Sequence, residues 1–299
     1  VTLRAKEGLA LINGTQLTVG LAALLVHDAE RLLRAADAAG ALTTEVTMGT
    51  TAACDPALHE VRPHDGQQAA ARNVKRLTRG SDVVEAHRNC DRVQDAYSIR
   101  CLPQVHGAVR DAIDHLREAV TVELNSATDN PLVFPGTVLD DTASGTADAA
   151  VVSGGNFHGA PLAHRLDYLS GALTDLAAVS ERRVDRLVNP NVQESHLPPF
   201  LADDYGVESG LMIGQYTAAS LLAECRSLGH AGTDNVPVSG GQEDHVSMSA
   251  TAAVNARTAL HCARRVVGIE LLTATEAAEY VDDELQLGAG TAAVYDAVR

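Results

Sequence analysis

A short stretch of the chain, residues 94–101 (QDAYSIRC), concentrates polar chemistry in a sequence otherwise rich in alanine, leucine and valine. Gln94, Asp95, Tyr97 and Arg100 supply an amide, a carboxylate, a phenol and a guanidinium within seven residues. A guanidinium can hold an anion through paired hydrogen bonds, and an amide or a phenol can orient a polar ligand. An apolar helical run follows at once, so the stretch is a candidate functional site at a helix end.

Three other loop-like stretches also concentrate polar side chains between apolar segments. They are EGLALINGTQ with Asn13 and Gln16, SGGNFHG with Asn156 and Phe157, and SGGQEDHVSM with Gln242, Glu243, Asp244 and His245. Each has a structural explanation, because Asn-Gly forms turns, Ser-Gly-Gly can cap a helix, and acidic residues favour a helix N-terminus. Four such loops together indicate one polar site at the end of a helix bundle.

Long amphipathic helices are the elements that must position these loops. In 158–183, apolar side chains recur at steps of three and four, which predicts one buried stripe: Leu162, Leu166, Leu169, Leu173, Leu176 and Val179. Similar patterns predict helices over 17–39, 66–78, 207–228 and 245–280, and over 103–120 with Pro103 in the first turn. Strand alternation is weak throughout, and residues 135–150 are interpreted as a mobile surface loop. We predict a mainly α fold, a bundle of long antiparallel helices.

The composition excludes several classes of partner. Lys and Arg number 23 against 39 Asp and Glu, so the formal net charge is −16. Nucleic acids and anionic membrane surfaces are bound through an excess of Lys and Arg, and we predict neither as a partner. No stretch reads as a signal peptide or as an uninterrupted membrane span. The cations are nearly all arginine, which suits either a high-salt cytoplasm or GC-rich codon usage.

The cysteines and histidines indicate a reduced protein without a metal centre. The five cysteines are odd in number and have no CxxC spacing, which is typical of a cytoplasmic protein rather than of a disulfide framework. The twelve histidines include no HExxH motif, and no metal site is predicted. His106, His115 and His164 lie on predicted helices and are interpreted as structural.

Five blocks, in this order, resemble a known family: KEGLALINGTQ, QDAYSIRCLPQVHGA, ATDNPLVF, SGGNFHG and QEDHVSM. They resemble the signature blocks of the aromatic amino acid ammonia-lyases, and specifically of the histidine ammonia-lyases. The resemblance covers nearly the whole chain, with departures at Ala96, where the family usually has proline, and at the long 135–150 loop. It implies a helix bundle of the ammonia-lyase and fumarase–aspartase type, shared in a homotetramer whose sites combine several subunits.

The resemblance also implies a reaction, the conversion of L-histidine to trans-urocanate and ammonia. The family uses the electrophile MIO, a methylidene-imidazolone formed when an internal Ala-Ser-Gly cyclises and loses water. The chain contains Ala143-Ser144-Gly145, but a loose acidic loop does not supply the compressed backbone that cyclisation needs. In the family the electrophile precedes the KEGLAL block, so the resemblance implies that the true tripeptide and the family's tyrosine base lie upstream. The chain begins without methionine in what looks like mid-domain sequence, which agrees with that expectation. Residues 1–299 would then be a portion of a single helical domain.

Residue roles follow from the resemblance. Arg100 would clamp the substrate carboxylate, while Tyr97 and Gln94 would hydrogen-bond around the reacting amine and the electrophile. Asn13 would orient the carboxylate or the electrophile's carbonyl. The remaining assignments are Phe157 packing against the substrate with Asn156 beside it, Glu243 binding the imidazole ring, and Gln242 and His245 in support.

Three alternatives stay open. A relative acting on phenylalanine or tyrosine, or an aminomutase, would share the fold, although Glu243 offers nothing to a phenyl ring. A helical lyase that forms fumarate would need no MIO, and the first two blocks disfavour it. An inactive fragment that lacks the electrophile would assemble through its helices without turning over substrate.

Overall fold

Helices dominate the fold, and a computed structural model describes residues 1–88, 92–136, 144–146 and 148–299. The prediction of a mainly α fold is confirmed. The long helices are α2 (Gln16–Val46), α7 (Leu102–Glu123), α8 (Ala160–Val188) and α10 (Ser249–Ala278). The shorter ones are α1 (Glu7–Ile12), α3 (Pro56–Glu60), α4 (Asp65–Leu77), α5 (Asp82–Ala86), α6 (Tyr97–Arg100), α9 (Met212–Arg226) and α11 (Ala289–Val298).

The helical periodicity places the long helices correctly and misjudges some of their ends. The five leucines of the predicted α8 stripe are wholly buried, whereas its sixth member, Val179, is only half-buried. Pro103 is the second residue of α7. The helix predicted over 207–228 begins only at Met212, because Gly206 and Gly210 adopt positive φ angles of 103° and 44° that an α-helix cannot contain. Local backbone conformation, which the stripe does not encode, therefore sets that boundary.

A small sheet forms where the sequence indicated only a mobile loop. Strands β1 (Leu132–Pro135), β2 (Ser144–Thr146) and β3 (Ala149–Val152) pair antiparallel in the order β1-β3-β2. Leu132 lies opposite Val152, and Gly145 lies opposite Ala150. The loop prediction is therefore wrong for residues 135, 144–146 and 149–150, which lie in strands. Residues 137–143 and 147 lie outside the described residues, and so does Ala143 of the candidate tripeptide.

The chain divides into two compact units. Unit 1 comprises residues 1–26, 114–168 and 229–257, and it contains the small sheet. Unit 2 comprises residues 27–113, 169–228 and 258–299. Its core is aliphatic, and one cluster packs Leu42, Val46, Leu187 and Val281 together with other leucine, valine and alanine side chains. The prediction of a single helical domain stays a prediction.

One apolar stretch bears on the prediction about membrane spans. By length and composition alone, the helical stretch Glu7–Val46 could cross a membrane, and only part of it is buried. The prediction that the sequence contains no uninterrupted membrane span stays a prediction. A core helix of a soluble protein passes the same test. Here the helix is interrupted at residues 13–15, between α1 and α2.

Candidate functional site

The short helix α6 presents Tyr97 and Arg100 on the surface of unit 2. Tyr97 is 73% exposed, and the guanidinium carbon of Arg100 lies 4.7 Å from the centre of its ring. This spacing is that of a cation–π contact, which orients both side chains. Gln94 is exposed three residues before Tyr97. The structure thus brings two of the predicted site residues into contact and leaves the third accessible beside them.

Arg100 carries a charge that the described residues do not neutralise. Its Nε atom is buried without a hydrogen-bond partner, and no carboxylate in the described ranges pairs with its guanidinium. A buried donor without a partner costs about 1–3 kcal/mol unless a ligand satisfies it. A structural role for Arg100 as an internal ion-pair partner therefore finds no support in the described chain. A cation in this state is suited to binding an anionic ligand.

Asp95 supports the site rather than facing a ligand. Its carboxylate is buried, accepts the Thr50 N–H at 2.8 Å and pairs with Arg92 at 3.1 Å. Arg92 also pairs with Glu194. The sequence shows Asp95 as one of four polar groups in the stretch. Only the fold shows that it ties the stretch to the backbone at Thr50 and to Arg92.

In unit 1, Asn13 is held by a partner that the sequence did not single out. Its Nδ2 donates to Oδ1 of Asp129 at 3.0 Å, and Lys6 forms an ion pair with the other carboxylate oxygen. The hydrogen bonds from Lys6, Asn13 and the backbone N–H of Asn130 lower the pKa of Asp129 to about 2. Asp129 is therefore an anion at any physiological pH. Its position inside the ATDNPLVF block was the only sequence signal for this role.

Gly14 is required by the close approach of the ATDNPLVF block. A Cβ at this position would overlap the carbonyl oxygen of Thr128. We expect Gly14→Ala to lower the free energy of unfolding by about 1–3 kcal/mol, measured by urea denaturation, because the backbone must shift to make room. Gly20→Ala is the matched control, since a Cβ there meets nothing within 4 Å in helix α2. It should be neutral or stabilising, and equal destabilisation by both changes would contradict the steric argument.

The SGGNFHG stretch lies at the surface of unit 1. Asn156 and Phe157 are both exposed, and Asn156 Nδ2 donates to the carbonyl of Ala127 at 3.4 Å. The ring of His158 stacks on that of His245 with 5.7 Å between centroids, and its Nε2–H donates to the His245 carbonyl at 3.2 Å. The third and fourth polar loops are thus brought together through these two histidines.

Glu243 lies in a tight turn with a left-handed backbone. Ser239, Gly240 and Gly241 have φ angles of 53°, 67° and 90°. The Ser239 hydroxyl donates to Oε2 of Glu243 at 2.5 Å, and no cation in the described residues pairs with this exposed carboxylate. Asn235, which sequence reasoning missed, holds the following residues by bonding the Asp244 carbonyl and the Val246 N–H. The carboxylate is therefore positioned and still accessible.

The predicted residues divide between the two units. Gln94, Tyr97 and Arg100 belong to unit 2. Unit 1 contains the others, namely Asn13, Asn156, Phe157, Gln242, Glu243 and His245. That all four loops build one site stays a prediction, as do the roles of the individual side chains.

Comparison with known proteins identifies the class to which this helical fold and these polar loops belong. The sequence profile of the aromatic amino acid lyases matches residues 1–299, and the chain belongs to that family. It is 69% identical over its whole length to a "Probable histidine ammonia-lyase" of Halobacterium salinarum, of which it covers 57%. The chain thus spans about half the length of the curated relatives it matches.

Two solved structures share the fold over the whole chain. The histidine ammonia-lyase of Trypanosoma cruzi is 41% identical, with a TM-score of 0.87 and 54% of that chain covered. The tyrosine aminomutase of Streptomyces globisporus is 37% identical, with a TM-score of 0.90 and 58% covered. The fold is therefore common to enzymes with different substrates, and substrate choice has to be argued from side chains.

Proposed function

We propose that the protein eliminates ammonia from L-histidine to give trans-urocanate. The observation that carries this proposal is Arg100, a cation without an ion-pair partner among the described residues and stacked on the exposed Tyr97. Every amino acid substrate presents a carboxylate, and a guanidinium fork matches it through two hydrogen bonds. Family membership and the 69% identity to a probable histidine ammonia-lyase support the reaction class.

Glu243 favours histidine over the other aromatic amino acids. Its carboxylate is exposed, fixed by Ser239 and without a cationic partner in the described chain. An imidazole N–H can donate to such a carboxylate, whereas a phenyl ring cannot, and burying a carboxylate against a phenyl ring would leave it unsatisfied. A phenylalanine or tyrosine lyase, or an aminomutase, is the second candidate, because the structural neighbours include a tyrosine aminomutase.

The family implies the MIO group, and the residues present fit it. Asn13 uses one amide N–H on Asp129, which leaves its amide oxygen and second N–H for the electrophile or the substrate carboxylate. When formed, MIO supplies an electrophile that turns the substrate amine into a better leaving group. In the proposed reaction Arg100 holds the carboxylate and Tyr97 and Gln94 orient the amine. Glu243, of the same or another subunit, binds the imidazole.

The tripeptide Ala143-Ser144-Gly145 is a poor source of this electrophile. Ser144 and Gly145 lie in strand β2, where they pair with Val151 and Ala150 of β3. An extended, ladder-bonded backbone is the opposite of the compressed turn in which a glycine nitrogen could attack a carbonyl two residues earlier. This pairing supports our proposal that MIO forms from another Ala-Ser-Gly of the full gene product. From family membership we further propose a homotetrameric cytoplasmic enzyme that shares its sites between subunits.

The specificity role of Glu243 has a direct test. We expect Glu243→Gln to lower kcat/KM for L-histidine by about 10- to 100-fold, because a hydrogen bond to a charged group contributes about 1.5–3 kcal/mol. Asp244→Asn is the matched control, a loss of the same charge from an exposed neighbour in the same turn. Unchanged turnover of L-histidine in Glu243→Gln would remove this role and favour the second candidate.

The reaction itself is tested by following urocanate absorbance from L-histidine. The full gene product and the 299-residue chain are assayed side by side, with L-phenylalanine and L-tyrosine as rival substrates. Activity in the full product alone supports the proposed source of the electrophile. Activity in the 299-residue chain would contradict the proposal that Ala143-Ser144-Gly145 is not the source of MIO. If both proteins are folded and neither converts L-histidine, the proposed substrate is wrong.

A further inference from the structure

A buried polar network in unit 2 joins residues from four long helices. Arg183 of α8 and Glu270 of α10 are wholly buried and form a bidentate pair, with Nε to Oε1 at 2.5 Å and Nη2 to Oε2 at 2.9 Å. The hydroxyls of Ser180 and Thr43 donate to the same carboxylate at 2.6 and 3.0 Å. A charged pair this deep is tolerated only where every polar atom has a partner.

His106 of α7 extends the network to α2. Its Nδ1–H donates to Oδ1 of Asp37 at 2.8 Å, so its Nε2 accepts from Nη2 of Arg183 at 3.3 Å. Complete burial lowers the pKa of His106, which favours this neutral form. The interpretation of His106 as a structural histidine is confirmed. Arg110 and Asn73 complete the shell around Asp37.

Arg183 has one further contact, and it reaches the candidate site. Its Nη1 donates to the backbone carbonyl of Ser98 at 3.1 Å. Ser98 lies within α6, a helix of four residues, between Tyr97 and Arg100. Carbonyl groups at a helix end lack intrahelical donors, and such a short helix has little stability of its own. The guanidinium therefore anchors α6 from the core side.

We propose that Arg183 is a positioning residue, which fixes the orientation of Tyr97 and Arg100 by holding the carbonyl between them. The inference deepens the proposed function and rests on it for its kinetic consequence. Glu270 and His106 hold the guanidinium through three hydrogen bonds, so that the direction of its fourth, to the Ser98 carbonyl, is set by the bundle. A misplacement of about 1 Å in a binding group can cost 10²-fold in rate.

The test is Arg183→Lys in the full gene product, with two readouts. Lysine retains the charge opposite Glu270 but cannot bond Glu270, His106 and the Ser98 carbonyl at once. We expect kcat/KM for L-histidine to fall about 10- to 100-fold, and amide hydrogen exchange over residues 97–101 to become faster. Thr43→Val is the matched control, because it removes a buried bond to Glu270 without touching Ser98. Its kcat/KM and exchange over 97–101 should stay near those of the wild type.

The outcomes separate the anchor from the proposed reaction. An equal fall in kcat/KM for both variants, with unchanged exchange over 97–101, overturns the positioning role and leaves only a structural one. Faster amide exchange over residues 97–101 in Arg183→Lys supports the anchoring of α6 by Arg183, whether or not the wild type releases urocanate. A wild type that releases no urocanate would refute the proposed function and leave the anchoring role intact. If Arg183→Lys does not fold, the double change Arg183→Met with Glu270→Leu removes both charges together. Wild-type exchange and kcat/KM in that variant would likewise overturn the proposal.

Discussion

Replacing Arg100 with methionine is expected to lower kcat/KM for L-histidine by about 10²- to 10³-fold. The change removes two charge-assisted hydrogen bonds to the substrate carboxylate, together about 3–4 kcal/mol. The stability of the folded state should not be greatly reduced by this change. Arg100 contacts the Tyr97 ring and makes no ion pair among the described residues, so its loss should lower the free energy of unfolding by less than about 1 kcal/mol. Removal of the buried Nε, which has no partner, acts in the stabilising direction.

Two imidazole compounds separate carboxylate binding from other effects of Arg100→Met. Imidazole-4-propionate keeps the carboxylate of the substrate and lacks its amine, whereas histamine keeps the amine and lacks the carboxylate. We expect the variant to bind the first compound at least tenfold more weakly, measured as an inhibition constant, and the second as the wild type does. Equal weakening of both, or a large loss of stability, would mean that Arg100 holds the fold rather than the substrate.

Replacing Glu270 with glutamine is expected to lower the free energy of unfolding by about 3–5 kcal/mol. The change leaves the guanidinium of Arg183 without its countercharge at a position where neither side chain is exposed. Charge removal rather than lost volume is the cause, because glutamine is nearly isosteric with glutamate. The measurement is urea denaturation followed by circular dichroism.

Two further variants test this explanation. Glu85→Gln removes one carboxylate from an exposed pair with Arg88, in which both side chains are more than 60% exposed (69% and 63%), so the loss should be below about 1 kcal/mol. Arg183→Met with Glu270→Leu should recover much of the stability lost in Glu270→Gln, since no buried charge remains unpaired. A double variant as unstable as Glu270→Gln would show that the packing, not the charge, is decisive.

The positions of the helices and the types of polar side chain at the candidate site depend on local sequence, so they could be predicted from the sequence alone. The stripe of leucines along α8 is buried as its spacing predicts, because one helix face repeats every three to four residues whatever surrounds it. The four polar loops likewise contain the side chains that the structure exposes or holds at helix ends, among them Asn13, Tyr97 and Glu243.

Partnerships between distant residues were decided only by the tertiary structure. Asn13 and Asp129 are 116 positions apart, and Arg183 bonds Ser98 from 85 positions and Glu270 from 87 positions away. No periodicity relates such positions, because their proximity depends on how whole helices pack. The sheet escaped detection for a related reason, since small residues such as those of β2 form strands only when a neighbouring strand supplies the hydrogen bonds. The sequence thus determines which polar side chains each segment contains. The packing of the helices determines which of these side chains form hydrogen bonds and ion pairs with one another.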